Sequence, residues 1–437
     1  MYFWAEKENF ASMKRLEMIV CRCVLLLCSV ALVSCNKDMF DEEEYIKLVE
    51  VAQPVSGIDA SHDWDLTASY NMTVTIGSAY RDMSRLQILS ENPASGRSAT
   101  LLGDYLLSGN EREAVTFTAP RTMTKFYAAL VDSEGRYTVA PFTSYDRSVD
   151  FSDPLVTNAS AISTMTTQAF TYCFEDEMPQ PGDYDYNDVV LRISQERTAK
   201  NQITLNVTLA AVGSLSQVAA AIRLVGYTYD QIESITTVDG VTFDEGYKKS
   251  SLPFIDSNEL LVAGSDNAAV INVFEDAHWA TGAVAYATEG YIPRYKYNVT
   301  KYTTEESDMV SPNTISFVIT FKSSVQNLNS FTLNSLDPFV ILEYNGIFME
   351  NHAVYKHRSV SVLHEYTQPS GAVILPWSLI VPSGAFRYPL DGVHIGYSKD
   401  GALFGAYMTL GHAFGQWASN KDTANDWYGY PTTNMVY

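Results

Sequence analysis

The stretch Cys173-Phe174-Glu175-Asp176-Glu177-Met178-Pro179-Gln180-Pro181-Gly182-Asp183-Tyr184-Asp185-Tyr186-Asn187-Asp188 runs straight into Val189-Val190-Leu191-Arg192-Ile193. Proline, glycine and acids ending at a β-branched run read as a loop that feeds a strand. Asp183, Asp185 and Asn187 place an oxygen at every second position, which suits a hard cation such as calcium. The candidate ligands are therefore Asp183, Asp185 and Asn187, with Asp188 and Glu175 or Asp176 as further donors. The loop is not an EF-hand. Asp188 stands where the sharp turn needs glycine, and the twelfth position from Asp183 is Ser194 rather than a bidentate glutamate. A second reading stays open, in which these side chains only cap a turn by accepting backbone N–H bonds.

The same residues carry a family resemblance. Phe174-Glu175-Asp176, followed by Pro181-Gly182-Asp183-Tyr184-Asp185-Tyr186-Asn187-Asp188-Val189-Val190, resembles the opening signature of the LruC-type domain, a domain of unknown molecular function found in many bacterial lipoproteins. Residues 202–224 resemble its next strand pair. Its closing segment is similar to Pro376-Trp377, Phe386-Arg387-Tyr388-Pro389-Leu390-Asp391-Gly392-Val393 and Phe414, Trp417, Asp426-Trp427-Tyr428. The resemblance spans residues 170–437. It departs from the family's His-containing, Pro-rich stretch at Asn351-His352-Ala353-Val354-Tyr355.

The N-terminal residues read as an address. Lys14-Arg15 precede an apolar run that ends at Leu32-Val33-Ser34-Cys35, the pattern of a charged region, a short apolar core and a small-residue cleavage site. Leu-Val-Ser-Cys resembles a bacterial lipobox, which implies that Cys35 is lipidated and residues 1–34 are removed. The run is interrupted by Arg22 and is too short for a membrane span. Asp41-Glu42-Glu43-Glu44 resembles the acidic export signal of surface lipoproteins and makes residues 35–55 an acidic tether. The expected location is the outer face of the outer membrane. Past Cys35 only Cys173 remains, which excludes a disulfide framework and an all-cysteine zinc site.

The net charge of −22, with 51 acidic and 29 basic residues, opposes binding to phosphate backbones, so no nucleic-acid partner is expected. The 28 tyrosines and 20 phenylalanines suit strands more than helices. Met72-Thr73-Val74-Thr75-Ile76 alternates, as do Leu86 with Ile88 and Val115 with Phe117. Lys125-Phe126-Tyr127-Ala128-Ala129-Leu130-Val131 reads as a buried strand. Further on, 202–209 and 314–322 alternate cleanly, 338–344 reads as a central strand, and only 411–420 suggests a helix. The expected fold is all-β. An immunoglobulin-like β-sandwich over 56–150 and a Ser/Thr-rich linker over 151–170 lead to a larger β-sandwich-type LruC-like domain over 171–437.

No Gly-x-Ser-x-Gly, His-Glu-x-x-His, Gly-x-x-x-x-Gly-Lys or Gly-x-Gly-x-x-Gly occurs. His352, His357 and His364 match neither a helical face nor zinc-ligand spacing and read as scattered polar histidines. Phe274-Glu275-Asp276 echoes Phe174-Glu175-Asp176 but lacks a following Gly-Asp-x-Asp and reads as coincidence. The resulting expectation is a non-enzymatic surface lipoprotein that binds or adheres, to an extracellular protein or a glycan, with a structural calcium in the acidic loop. One alternative is a glycan-binding accessory lipoprotein that offers Trp377, Trp417, Trp427 and Tyr428 for sugar stacking. The other is a glycoside hydrolase that uses two carboxylates.

Overall fold

The computed structural model describes residues 55, 57–107, 109–151, 164–178, 180, 182–243, 259–282, 295–300, 311–344, 346–353, 375–399 and 402–437. The leader, Cys35, the tether up to residue 54, His357 and His364 lie outside the described residues. From Ala52 onward the chain forms one compact unit. Its secondary structure is almost entirely β, as the composition implies.

The first two sheets arise from the alternating segments. Strand β1 (Thr67–Thr75) lies between β4 (Arg112–Pro120), antiparallel to it, and β7 (Ser148–Asp150), parallel to it. A second sheet has the order β6 (Tyr137–Thr143), β5 (Lys125–Val131), β2 (Arg85–Leu89), β3 (Ala99–Leu106) and β8 (Met165–Thr167). Every second residue of β1 points inward, so Met72 and Val74 share one core with Phe117 of β4 and with Leu86, Ile88 and Phe126 of the second sheet. The stretch expected as a linker is partly strand. Its β-branched threonines in β8 pair parallel to β3, from Ala99 with Met165 to Leu101 with Thr167. Residues 152–163 of that stretch lie outside the described residues.

The remainder builds two larger sheets. Six antiparallel strands run in the order β13 (Ile232–Thr237), β16 (Asn313–Phe321), β11 (Gln202–Ala211), β10 (Val189–Ala199), β9 (Ala169–Phe174) and β19 (Ser378–Val381). Five more run β14 (Leu261–Ala263), β15 (Ala268–Phe274), β12 (Ala219–Thr228), β17 (Leu336–Tyr344) and β18 (Ile347–His352). Tyr227 of β12 reaches Phe321 of β16 with ring centroids 5.2 Å apart, joining the two sheets. A small hairpin, β20 (Tyr397–Lys399) and β21 (Ala402–Phe404), and two short α-helices, α1 (Ala277–Ala280) and α2 (Phe414–Ser419), join them, with single 3-10 turns between and after the strands. No helix among the described residues is long and apolar enough to cross a membrane.

The closing segment folds onto the end of β9 and β10. Cys173, Tyr184, Tyr186, Val190, Phe386, Tyr407, Trp417 and Trp427 form one core. Residues N-terminal to β1 join that core as well, because Val55 and Leu66 are buried in it. His62 stacks on Trp64 at 4.0 Å and meets the edge of Trp417 at 4.5 Å, and the Asp59 N–H donates to the Ala418 carbonyl at 3.0 Å.

Candidate cation site in the acidic loop

Strands β9 and β10 are antiparallel neighbours with Phe174 opposite Val189, so residues 175–188 are the connection between them. The segment is fastened at its start. The Glu175 N–H donates to the Trp377 carbonyl at 2.9 Å, and Asn351 Nδ2 donates to the carbonyls of Glu175 and Trp377 at 2.9 and 2.8 Å. Farther along, Tyr184 and Tyr186 adopt left-handed backbone angles, φ 56 and 53. That conformation costs a non-glycine residue roughly 1–2 kcal/mol and persists only where packing enforces it. Both rings are buried in the core. The Tyr186 hydroxyl donates to the Pro376 carbonyl at 2.7 Å, and the Ile395 N–H donates to the Tyr184 carbonyl at 2.8 Å.

The two left-handed residues turn their amides toward one carboxylate. Tyr184 N–H donates to Glu175 Oε2 at 3.1 Å and Tyr186 N–H donates to Glu175 Oε1. Asp185 accepts from the Asn187 N–H at 3.1 Å on one oxygen and from the Gly392 N–H at 2.7 Å on the other. The Asp176 N–H donates to Asp188 Oδ2 at 2.8 Å. Gly182 is required by space rather than by backbone angle, because a Cβ there would sit 2.3 Å from Glu175 Oε2. Gly213, on the turn after β11, is held by the same constraint, with Asn187 Oδ1 only 2.1 Å from the position of a Cβ.

This geometry gathers acid without matching base. Glu175, Asp183 and Asp185 each present an oxygen within 4.8 Å of the others, and Glu175, Glu177 and Asp188 do the same. Glu175 thus belongs to both groups. Burial, reinforced by Asp188 and Asp185, pushes its carboxyl far above the usual range, and burial with Asp176 and Glu177 does the same to Asp188. Burial and then Asp183 push Asp185 up to about 8, against the bonds from Gly392 and Asn187. Burial, Asp176 and Asp183 push Glu177 up to about 7. Burial also raises Asp183, opposed by the Asp185 N–H and by Lys296, whose ammonium lies 2.6 Å from Asp391. Two buried oxygens of this segment, Glu177 Oε2 and Asn187 Oδ1, have no hydrogen-bond donor among the described residues. A buried oxygen without a donor is unfavourable in a folded chain and is what a bound cation satisfies. The cluster can therefore hold a metal ion.

Of the candidate ligands read from the sequence, the fold brings Glu175, Asp183, Asp185 and Asp188 together. Asn187 reaches Asp185 through its backbone N–H, while its amide nitrogen donates to the Pro389 carbonyl at 3.2 Å and its Oδ1 lies against Gly213. Asp176 belongs to neither group, since its Oδ2 accepts from Ser214 Oγ. Glu177 joins the second group although it was not among the candidates. It sits in the quoted stretch, but off the alternation that singled out the others.

Two expectations elsewhere are corrected. Trp377, Trp417 and Trp427 are only 3 %, 1 % and 0 % exposed, because they pack the core under the closing segment, and Tyr428 packs against that same core. The three tryptophans offer no sugar-stacking platform, and Tyr428 is half-buried. His352 is not a scattered polar residue: it is buried on β18, with Nδ1 2.9 Å from Asp337 and Nε2 2.9 Å from Glu350. Burial alone would lower it, but the two carboxylates outweigh that and hold it at about 9.

Residues 201–428 match a family described as a domain of unknown function, DUF4842. No curated protein matches the chain. Among solved structures, the crystal structure of a "Putative lipoprotein" from Bacteroides ovatus is similar at 12 % identity with a TM-score of 0.47, over 81 % of this chain and 99 % of that one. The B domain of a biofilm associated protein aligns at 9 % identity with a TM-score of 0.16, over 85 % of this chain and 89 % of that one. None of these matches names the LruC-type domain.

Proposed function

We propose, from the premise that the chain belongs to the DUF4842 family of unknown function, that it is a lipoprotein of the outer-membrane surface whose β domains bind or adhere rather than catalyse. The acidic loop takes one or more calcium ions that fix its structure. The observation that carries the cation reading is the gathering of buried Glu175, Asp185 and Asp188 with half-buried Glu177 and Asp183, where the buried Glu177 Oε2 has no donor among the described residues. An all-oxygen donor set of this charge favours a hard divalent ion, and the room for several carboxylates favours calcium over magnesium. Anchoring rests on Leu32-Val33-Ser34-Cys35 and the acids that follow. We read the two N-terminal sheets as an immunoglobulin-like sandwich over 56–150, supported by their shared core, and residues 171–437 as a larger sandwich-type domain. The partner is an extracellular protein or a glycan.

Thermal melting in calcium, in magnesium and in chelator tests the reading. Free calcium at about 100 times the dissociation constant stabilises the folded chain by about 2.7 kcal/mol. Extracellular sites bind at about 0.1–1 mM, so the titration extends to tens of millimolar. Chelation lowers the melting temperature by a few degrees, and Asp183→Asn with Asp185→Asn abolishes the difference. A wild-type melting curve indifferent to calcium and chelator leaves the loop as a capped turn.

A further inference from the structure

The second Phe-Glu-Asp has the same local setting as the first. Phe174 closes β9 and Phe274 closes β15, both fully buried, and Glu175 and Glu275 are buried beside them. A continuous chain of polar contacts leads from the second copy to the first. Asp276 Oδ1 accepts from the His278 backbone N–H at 2.9 Å and lies 2.9 Å from His278 Nδ1. His278 Nε2 lies 2.9 Å from the carbonyl oxygen of Ser214, and Ser214 Oγ donates to Asp176 Oδ2. Asp176 in turn donates its N–H to Asp188 Oδ2 at 2.8 Å. One residue earlier, the Gly213 N–H is shared between the carbonyls of Asn187 and Asp188 at 3.0 and 2.9 Å. The turn at 213–214 is thus clamped between the acidic loop on one side and Asp276 with His278 on the other. His278, Asp276 and Ser214 are all buried.

We propose that Asp276, His278 and Ser214 are positioning residues of the acidic loop. They fix Asp176, whose N–H orients the Asp188 carboxylate toward Glu175 and Glu177, so the donors meet a cation without having to be ordered by it. Outer groups that hold a ligand's orientation typically govern about 10–100-fold in metal affinity. The inference rests on the cation reading and explains why the echo motif needs no Gly-Asp-x-Asp of its own. It supplies a carboxylate to a histidine rather than a ligand to an ion.

The test uses the full chain with terbium as probe, displaced by calcium, and the variants Ser214→Ala and His278→Gln. Both variants weaken terbium and calcium binding about tenfold or more. Water entering where Asp188 is no longer held shortens the terbium luminescence lifetime in H2O relative to D2O. A merely structural brace predicts the opposite pattern, with melting lowered equally in calcium and chelator while affinity and lifetime keep their wild-type values. That result overturns the inference and leaves the cation reading standing. Absence of terbium and calcium binding by the wild type overturns both.

Discussion

Cation binding by the acidic loop must be paid in protons, and Asp185 and Glu177 set the least it takes. With Asp185 at about 8 and Glu177 at about 7, both are largely protonated near pH 6 in the cation-free protein. A cation binds the ionised forms, so it has to displace those protons. Near pH 6, Asp185 lies about two pH units below its midpoint and Glu177 about one, which weakens apparent affinity by factors of about 100 and about 10. Near pH 9 both penalties vanish. Between about pH 6 and about pH 9 apparent calcium affinity therefore rises by a factor of about 100 or more at the group that holds Asp185 and of about 10 or more at the group that holds Glu177. The sign for stability without cation follows from the same groups. Their folded values lie above the ordinary 3.8 and 4.5, so their contribution is fully present below those values and is lost as pH rises through about 7 to 8. The chelated protein thus weakens toward alkaline pH and calcium reverses the loss. Calorimetric titration in buffers of differing protonation enthalpy measures the effect directly: near pH 6 Asp185 and Glu177 each release about one proton, beside those of the likewise raised Glu175 and Asp188, and near pH 9 Asp185 and Glu177 no longer contribute. Equal affinity at both pH values with no proton release would refute the reasoning, because the carboxylates would then be ionised without a cation.

Three further outcomes are expected. Gly213→Ala destabilises the fold by about 1–3 kcal/mol in denaturant titrations, because its Cβ overlaps Asn187 Oδ1, whereas Gly226→Ala, where no atom lies within 4 Å, shows only the strain of its left-handed angle. His352, raised from 6.5 to about 9, contributes stability that is fully present below about pH 6.5 and is lost as pH rises through about 9. His352→Gln flattens that alkaline limb in unfolding curves, and an unchanged limb would assign it to other groups. Cys35→Ala abolishes incorporation of labelled palmitate and releases the protein from membranes, since acyl chains supply the affinity of such an anchor.

Much of the β architecture was legible because many strands have one wet face. Ile203, Leu205, Val207 and Leu209 alternate with Asn206 and Thr208 along β11, and Ile315, Phe317, Ile319 and Phe321 do so along β16. In β12, Ala219 to Leu224 are buried on both faces, so the period of two disappears there and only length and flanking turns mark the strand. The loop's acids were legible for the converse reason, since their spacing is set locally by the two left-handed tyrosines. What supports them was not. Gly213, Ser214 and His278 reach the loop only through the pairing of β11 with β10 and of β15 with β12, and no local pattern announces a contact made across sheets. His352 misled for the same reason, because Asp337 approaches it from the neighbouring strand β17. The tryptophans of the closing segment misled because an aromatic residue in a polar, glycine-rich segment looks the same whether it faces water or a core.

The packing of Val55 and residues 57–66 beside α2 also bears on how the protein answers mechanical tension. A pull entering from the N-terminal side meets the His62–Trp64–Trp417 cluster and the Asp59–Ala418 hydrogen bond before it reaches β1. Force is thereby delivered to the closing segment, far along the chain, and β1 is shielded from being peeled off its sheet from its first residue.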